Sequence, residues 1–340
     1  MKHVYIIAEA GVNHNGRLDL ALQLCDAAKA VGADAVKFQT WKTENIVTQA
    51  AQMAQYQREN LNDTENSQYK MLKKLELSYG DFVKVAKHCR EIGIDFMSTP
   101  DEEESLNFLL SSFEMKYLKI GSGELTNVPF LRKAAAMAKQ PIIISTGMGT
   151  MEEIELAYKE LTEHGAKEVI LLHCTTNYPC PTEEVNLRAM QTLKDRFHCT
   201  IGYSDHTQGV EIPVAAVAMG AQVIEKHFTL DKMMEGPDHI ASADLAEFKQ
   251  MVGSIRRIEL ALGDGEKHPQ QSEIANRKIV RKSIVAAKPI EKGELLTEEN
   301  LATKRVGDGI PASDWDMVIG ARAIRAYEID EPIEIENNER

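Results

Sequence analysis

Eight short runs of apolar, β-favouring residues recur through the first 228 positions, and no other feature restricts the fold so tightly. They are HVYIIAEAG (3–11), DAVKFQT (34–40), IDFMSTP (94–100), KYLKIGS (116–122), PIIISTG (141–147), VILLHCT (169–175), CTIGYSD (199–205) and QVIEKHF (222–228). Each is nearly continuous rather than alternating, the pattern of parallel strands buried on both faces. Amphipathic stretches such as LDLALQLCDAAKAVGA (18–33) and MEEIELAYKELTEHGA (151–166) lie between them. The second carries a start and a stop: Thr150 as N-cap, Glu152 and Glu153 in the first turn, Gly165 at the end. Eight strand–helix units in roughly 260 residues predict an α/β fold, a (β/α)8 TIM barrel. A doubly wound open sheet fits less well, because AEAGVNHNG lacks the G-x-G-x-x-G spacing of its first turn.

Two segments stand outside that repeat. Residues 41–78 form a polar insertion after the second strand, expected to be partly helical and to act as a lid or binding loop. Helical periodicity stops near Gly263, which divides the chain into a barrel over 1–263, a linker over 264–281 and a small β-type domain over 282–340. Turn signals at EKGE (291–294) and GDG (307–309) mark that last segment. A domain of about 60 residues is marginal alone and is expected to pack on something else.

The net charge of −13 argues against a nucleic-acid partner, which needs a basic surface. It leaves room for a small anionic substrate, since a few lysines reverse the field inside a pocket. No run approaches the ~18 apolar residues of a membrane span, and the run in MKHVYIIAEAG is too short for a signal peptide. The five cysteines include no Cys-x-x-Cys and read as reduced thiols in a cytoplasm.

In a (β/α)8 barrel the active site lies at the C-terminal ends of the strands. The predicted strands end in Glu9 and Asn13, Lys37 and Gln39, Ser98 and Thr99, Lys119 and Ser122, Ser145 and Thr146, His173 and Thr175, Ser204 to His206, and Glu225 with His227. An unpaired charge within an apolar run costs several kcal/mol, so this convergent polar set reads as a site. His206 and His227 close neighbouring strands, ~4.8 Å apart, and can share one divalent cation. Mn²⁺, Fe²⁺ or Zn²⁺ suits such a pair better than Mg²⁺. His173 precedes the rim and reads as structural. KIGSGE (119–124) and STGMGT (145–150) offer backbone N–H groups to anions, and with Lys37 and Lys119 they point to a phosphorylated carboxylate.

The motifs AEAGVNHNG, VKFQT, STP, YLKIGSGE, ISTGM, LLHCTTNYP, GYSDHT, EKHFT and GPDHIAS stand in one order along the chain. In that order they resemble the sialic acid synthase family, which includes N-acetylneuraminate, legionaminate and pseudaminate synthases. SIVAAKPIEKGELLTEENLATKRVGDGI resembles that family's C-terminal SAF (antifreeze-like) domain.

The resemblance implies a metal-assisted condensation of phosphoenolpyruvate with an open-chain N-acetylated aminosugar. N-acetylmannosamine is the first expectation and 2,4-diacetamido-2,4,6-trideoxymannose the alternative. It implies Mn²⁺, or Mg²⁺ or Co²⁺, on His206 and His227, and phosphoenolpyruvate on Lys37, Thr99, Lys119, Ser122, Ser145 and Ser204. Glu9 would be the acid/base, and Gln39, Tyr178, Asp238 and Arg305 would contact the sugar. Arg305 would do so from the partner subunit of a domain-swapped homodimer. Val306 stands where the family often has Pro and Ile240 where Lys is common, while Thr176 occupies a position that varies among Ser, Asn and Thr in the family. Two other readings compete. A 3-deoxy-aldulosonate synthase would need a second Arg/Lys cluster for a sugar phosphate; a non-catalytic glycan-binding scaffold would show gaps in the polar set.

Overall fold

The structure is a computed structural model that describes residues 3–61 and 66–336. Its strands are β1 (Tyr5–Gly11), β2 (Ala35–Thr40), β3 (Asp95–Pro100), β4 (Leu118–Ile120), β5 (Ile142–Ser145), β6 (Val169–His173), β7 (Ile201–Asp205) and β8 (Val223–His227). They form one parallel sheet in the order β3-β2-β1-β8-β7-β6-β5-β4, and β3 lies against β4, so the sheet closes on itself. Apart from the insertion's short helices, one described α-helix follows each strand, from Leu18–Ala30 after β1 to Leu245–Ala261 after β8. This is the (β/α)8 barrel that the eight runs predict.

The predicted start at Thr150 is present, and that helix ends at Glu163, just short of the predicted stop at Gly165. Thr150 and Glu153 form a reciprocal capping box at the helix Met151–Glu163. The helix Tyr79–Ile92 starts on Ser78 and ends on Gly93 at φ 72°, a left-handed position that favours glycine.

Strand alternation builds two stacked layers inside the barrel. Tyr5, Ile7, Ala35, Met97, Ile143, Ile170, Leu172 and Val223 form an apolar lower layer. Two residues further along the same strands come Glu9, Lys37, Thr99, Ser145 and Glu225, which face the same way because side chains repeat every second residue. Gly202 lets β7 approach β8: a Cβ there would sit 2.3 Å from the Val223 carbonyl oxygen. At the opposite end of the barrel, one clasp joins its first strand to its last helix. Arg256 donates to the Val4 carbonyl at 2.9 Å and to Asp34 at 2.8 Å, and Glu259 accepts from the Val4 N–H at 2.6 Å.

The insertion carries the short helices Thr43–Ile46, Gln55–Leu61 and Gln68–Leu75, and so is partly helical as expected. It packs around Trp41, Met53, Met71, Leu75 and Val12. Gly16, at φ 70°, seats it on the loop after β1, where a Cβ would meet the Lys74 carbonyl oxygen at 2.3 Å.

The chain divides into compact units at Asp264 and Gly265. The second unit contains a helix, Gln271–Val280, within the stretch read as linker. Acidic Glu273 near its start and basic Arg277 and Lys278 near its end suit the helix dipole. An antiparallel pair follows, β9 (Ser283–Ala286) with β10 (Leu301–Lys304). Ile284, Ile290, Leu296, Leu301, Val318, Tyr327 and Ile333 form that unit's own core. No helix among the described residues is long and apolar enough to cross a membrane.

Candidate active site

The polar upper layer surrounds a cavity of about 180 Å³ at the C-terminal ends of the strands. Lys37 stands beside Glu9 because their Cα atoms are register partners on β2 and β1. Its Nζ lies 2.7 Å from Glu9 Oε2, donates to Thr99 Oγ1 at 3.0 Å, and sits 3.6 Å from Glu225. Lys119 on β4 donates to Ser145 Oγ at 2.8 Å and lies 3.6 Å from Glu225. Ser204, register partner of Glu225, donates to it at 3.0 Å, and Gln39 donates to Glu9 Oε1 at 3.3 Å. Lys37 and Lys119 therefore share one hydroxyl-lined chamber with the carboxyls of Glu9, Glu225 and Asp101.

Burial drives the protonation states apart. It lifts the Glu9 carboxyl to about 7 despite the opposing pull of Lys37. Glu225 is buried equally, but the fields of Lys119 and Lys37 hold it far below the ordinary carboxylate range. Burial lowers Lys119, whereas for Lys37 the carboxylates of Glu225 and Glu9 outweigh burial and raise it. A carboxyl poised near neutrality beside a firmly ionised one divides acid–base work from charge balance.

Ser122 starts a short 3-10 turn after β4. Its Oγ accepts from the Gly147 N–H at 3.0 Å and lies 3.2 Å from Cys174 Sγ. Gly147 is required by crowding, since a Cβ would fall 2.1 Å from Thr176 Oγ1 and 2.8 Å from both Cys174 and Ser122. Thr176 Oγ1 is buried and lacks a hydrogen-bond partner.

His206 follows β7 and His227 ends β8, with ring centroids 5.4 Å apart and the Tyr178 ring against both. His206 Nδ1 bonds the Thr175 carbonyl at 2.6 Å, which leaves its Nε2 lone pair available. His227 Nδ1 is buried without a hydrogen-bond partner, 3.7 Å from Asp238 Oδ2. Burial lowers both imidazoles, so both are neutral near pH 7. Two neutral rings at this separation fit one divalent cation with nitrogens ~2.0–2.2 Å from it. Among the described residues no group of three or more His, Cys, Asp or Glu side chains is arranged for a metal.

Of the site residues that the resemblance implies, all except Asp238 and Arg305 line the cavity, whereas the strand-end residues Asn13, Ser98, Thr146, His173, Thr175 and Asp205 do not: Ser98 bonds Thr40, Thr146 the Leu172 carbonyl, Thr175 the Glu184 carbonyl and Asp205 pairs with Lys226. Asp238 stands behind His227, while Arg305 is exposed after β10 in the second unit. His173 bonds the Val185 carbonyl at 2.7 Å and is structural. Asn13 ties the Phe228 carbonyl to Ser242. Sequence reasoning gave no role to Asp101 or Cys174, which also line the cavity, as does Thr176, named there only as a variable family position. Asp101 could have been found as His206 was, by its place one residue beyond a strand. Burial raises its carboxyl to about 7.

A polar chamber at the rim of a closed parallel barrel defines the class: a (β/α)8-barrel enzyme. The chain belongs to the NeuB family, whose model matches residues 24–267, and a SAF domain follows at 281–336. It is 50% identical to the N,N'-diacetyllegionaminic acid synthase of Campylobacter jejuni, over 98% of this chain and 99% of that protein. Identity to the synthase of the same name from Legionella pneumophila is 48%, covering 94% and 90%. Among solved structures, it matches the N-acetylneuraminic acid (sialic acid) synthetase of Leptospira borgpetersenii in complex with citrate. That match has a TM-score of 0.70 and 35% identity, and covers 82% and 93% of the two chains.

Proposed function

We propose that this NeuB-family synthase condenses phosphoenolpyruvate with 2,4-diacetamido-2,4,6-trideoxymannose to give N,N'-diacetyllegionaminate and phosphate. The observation that carries the condensation is the single chamber holding Lys37, Lys119, the Thr99, Ser122, Ser145 and Ser204 hydroxyls, and Glu9. C3 of phosphoenolpyruvate bonds to the aldehyde carbon, whose oxygen takes a proton. Water adds at C2 and loses a proton, and the C–O bond to phosphate breaks. Lys37 and Lys119 hold the phosphate and carboxylate of phosphoenolpyruvate, with the hydroxyls fixing its orientation. Glu9 accepts the proton of the attacking water. Gln39, Tyr178 and Asp238 contact the sugar. His206 and His227 hold a divalent cation, Mn²⁺ first, which when bound supplies Lewis-acid polarisation of the aldehyde. Arg305 reaches the sugar's N-acetyl group from the partner in a domain-swapped homodimer.

The reading from sequence puts N-acetylmannosamine first. Identities of 50% and 48% to two diacetyllegionaminate synthases, against 35% to a sialic acid synthetase, favour the diacetamido sugar. The test is phosphate release from phosphoenolpyruvate with Mn²⁺, run with the diacetamido sugar, N-acetylmannosamine and its 6-phosphate in parallel. Release with the diacetamido sugar alone, abolished by EDTA, supports the proposal. Preference for N-acetylmannosamine overturns the sugar assignment, and release with none of the three overturns the reaction.

A further inference from the structure

Among the described residues, the insertion reaches the loop after β8 through the side chains of Lys74 and Asn60. Lys74 pairs with Glu235 at 3.2 Å, but these chains are 73% and 79% exposed, and such pairs hold little. Asn60, in the helix Gln55–Leu61, is half-buried and donates from Nδ2 to the Pro237 carbonyl at 2.7 Å. That carbonyl and the N–H of Asp238 belong to one planar peptide unit. A hydrogen bond to the oxygen therefore limits rotation of the unit from which Asp238 hangs.

The peptide unit on the other side of Asp238 is held from the barrel. Ser242 Oγ donates to the Asp238 carbonyl at 2.7 Å and accepts from Asn13 at 2.9 Å. Both flanking peptides are thus pinned, one by the barrel and one by the insertion. No side-chain hydrogen bond fixes the Asp238 carboxyl among the described residues, so its backbone sets its aim.

We infer that Asn60 is a positioning residue for the aminosugar: through the Pro237–Asp238 peptide, it couples the insertion to the carboxyl that holds the sugar. This rests on the reading above that Asp238 contacts the sugar. The insertion then tunes sugar affinity without touching the phosphoenolpyruvate half of the chamber, whose ligands come from β2 to β5 and β7.

The experiment is steady-state kinetics on the full chain with Mn²⁺ and whichever of the named sugars it turns over. Asn60→Asp keeps the shape and loses the donor; Asn60→Ala loses both; Asn60→Gln keeps a donor. Losing one such bond should raise KM for the sugar about three- to tenfold in the Asp and Ala variants. The kcat and the KM for phosphoenolpyruvate should stay within about twofold, and Gln should recover most of the loss. A sugar KM unchanged in both variants overturns the inference. So does a parallel rise in both KM values with a lowered Tm, which marks a merely structural role. If the wild type releases no phosphate with any sugar, the functional reading has failed, and the latch is judged by amide exchange of residues 235–242. Faster exchange in Asn60→Asp upholds the latch, and unchanged exchange overturns it.

Discussion

Glu225 is the counter-charge on which the chamber's two lysines depend, and Glu225→Gln tests this. Its carboxylate lies 3.6 Å from both Lys37 and Lys119. At an effective dielectric of about 20, each pair attracts by roughly 4–5 kcal/mol. Desolvation offsets much of that, but removing one partner from a buried pair leaves a stranded charge, and the net loss is about 3–5 kcal/mol. For a barrel of this size, that lowers Tm by roughly 6–20 °C. The loss should shrink as pH rises. Burial already depresses the Lys119 pKa, so the folded state penalises its protonated form, and stability returns as that proton leaves. Phosphoenolpyruvate supplies negative charge to the same lysines, so at about 100 times its Kd it should restore ~2.7 kcal/mol or more. The assay is thermal unfolding of wild type and variant across pH 6–9, with and without phosphoenolpyruvate. A Tm within about 2 °C of wild type would refute the reasoning.

Three further outcomes are expected. His206→Ala or His227→Ala should abolish phosphate release and weaken Mn²⁺ binding by calorimetry, with circular dichroism unchanged; an active variant with the same metal dependence would sink the ligand assignment. With Glu9 at about 7, kcat/KM should climb with pH through an inflection near neutrality, and Glu9→Gln should remove that limb. For stability the sign is opposite: the folded protein holds this proton more tightly than the unfolded chain between 4.5 and about 7, so Glu9 costs stability as pH rises through that window. Gly147→Ala forces a Cβ against Thr176, Cys174 and Ser122 and should cost about 1–3 kcal/mol together with a large rise in KM for phosphoenolpyruvate; unchanged values for both would remove Ser122 from the site.

The barrel was legible because parallel strands leave an unbroken apolar signature, and the site because charges interrupt it. Lys37 and Lys119 sit where an apolar side chain would otherwise pack, and two-residue periodicity carries each into the chamber above the Ile7 and Ile143 layer. Asp101, one residue beyond β3, was missed because a lone Asp after a strand reads as an ordinary solvated turn residue, whereas the structure shows it lining the cavity. The helix Gln271–Val280 was missed for a related reason: QQSEIANRK is polar, and Ile274 and Ile279 are 51% and 67% exposed, so no buried stripe announces it. Asn60 could not have been read from sequence at all, since its partner lies 177 residues away.

The clasp of Arg256 and Glu259 on Val4 sets an order of events during synthesis. β1 pairs with β8 as well as β2, yet β8 leaves the ribosome about 220 residues later, roughly 10–40 s at ordinary elongation rates. Through that interval the first strand has one open edge, and the helix that seals its N-terminal end is unmade. A nascent chain halted before β8 therefore carries an unclosed sheet, a ready template for pairing with its neighbours on the same message.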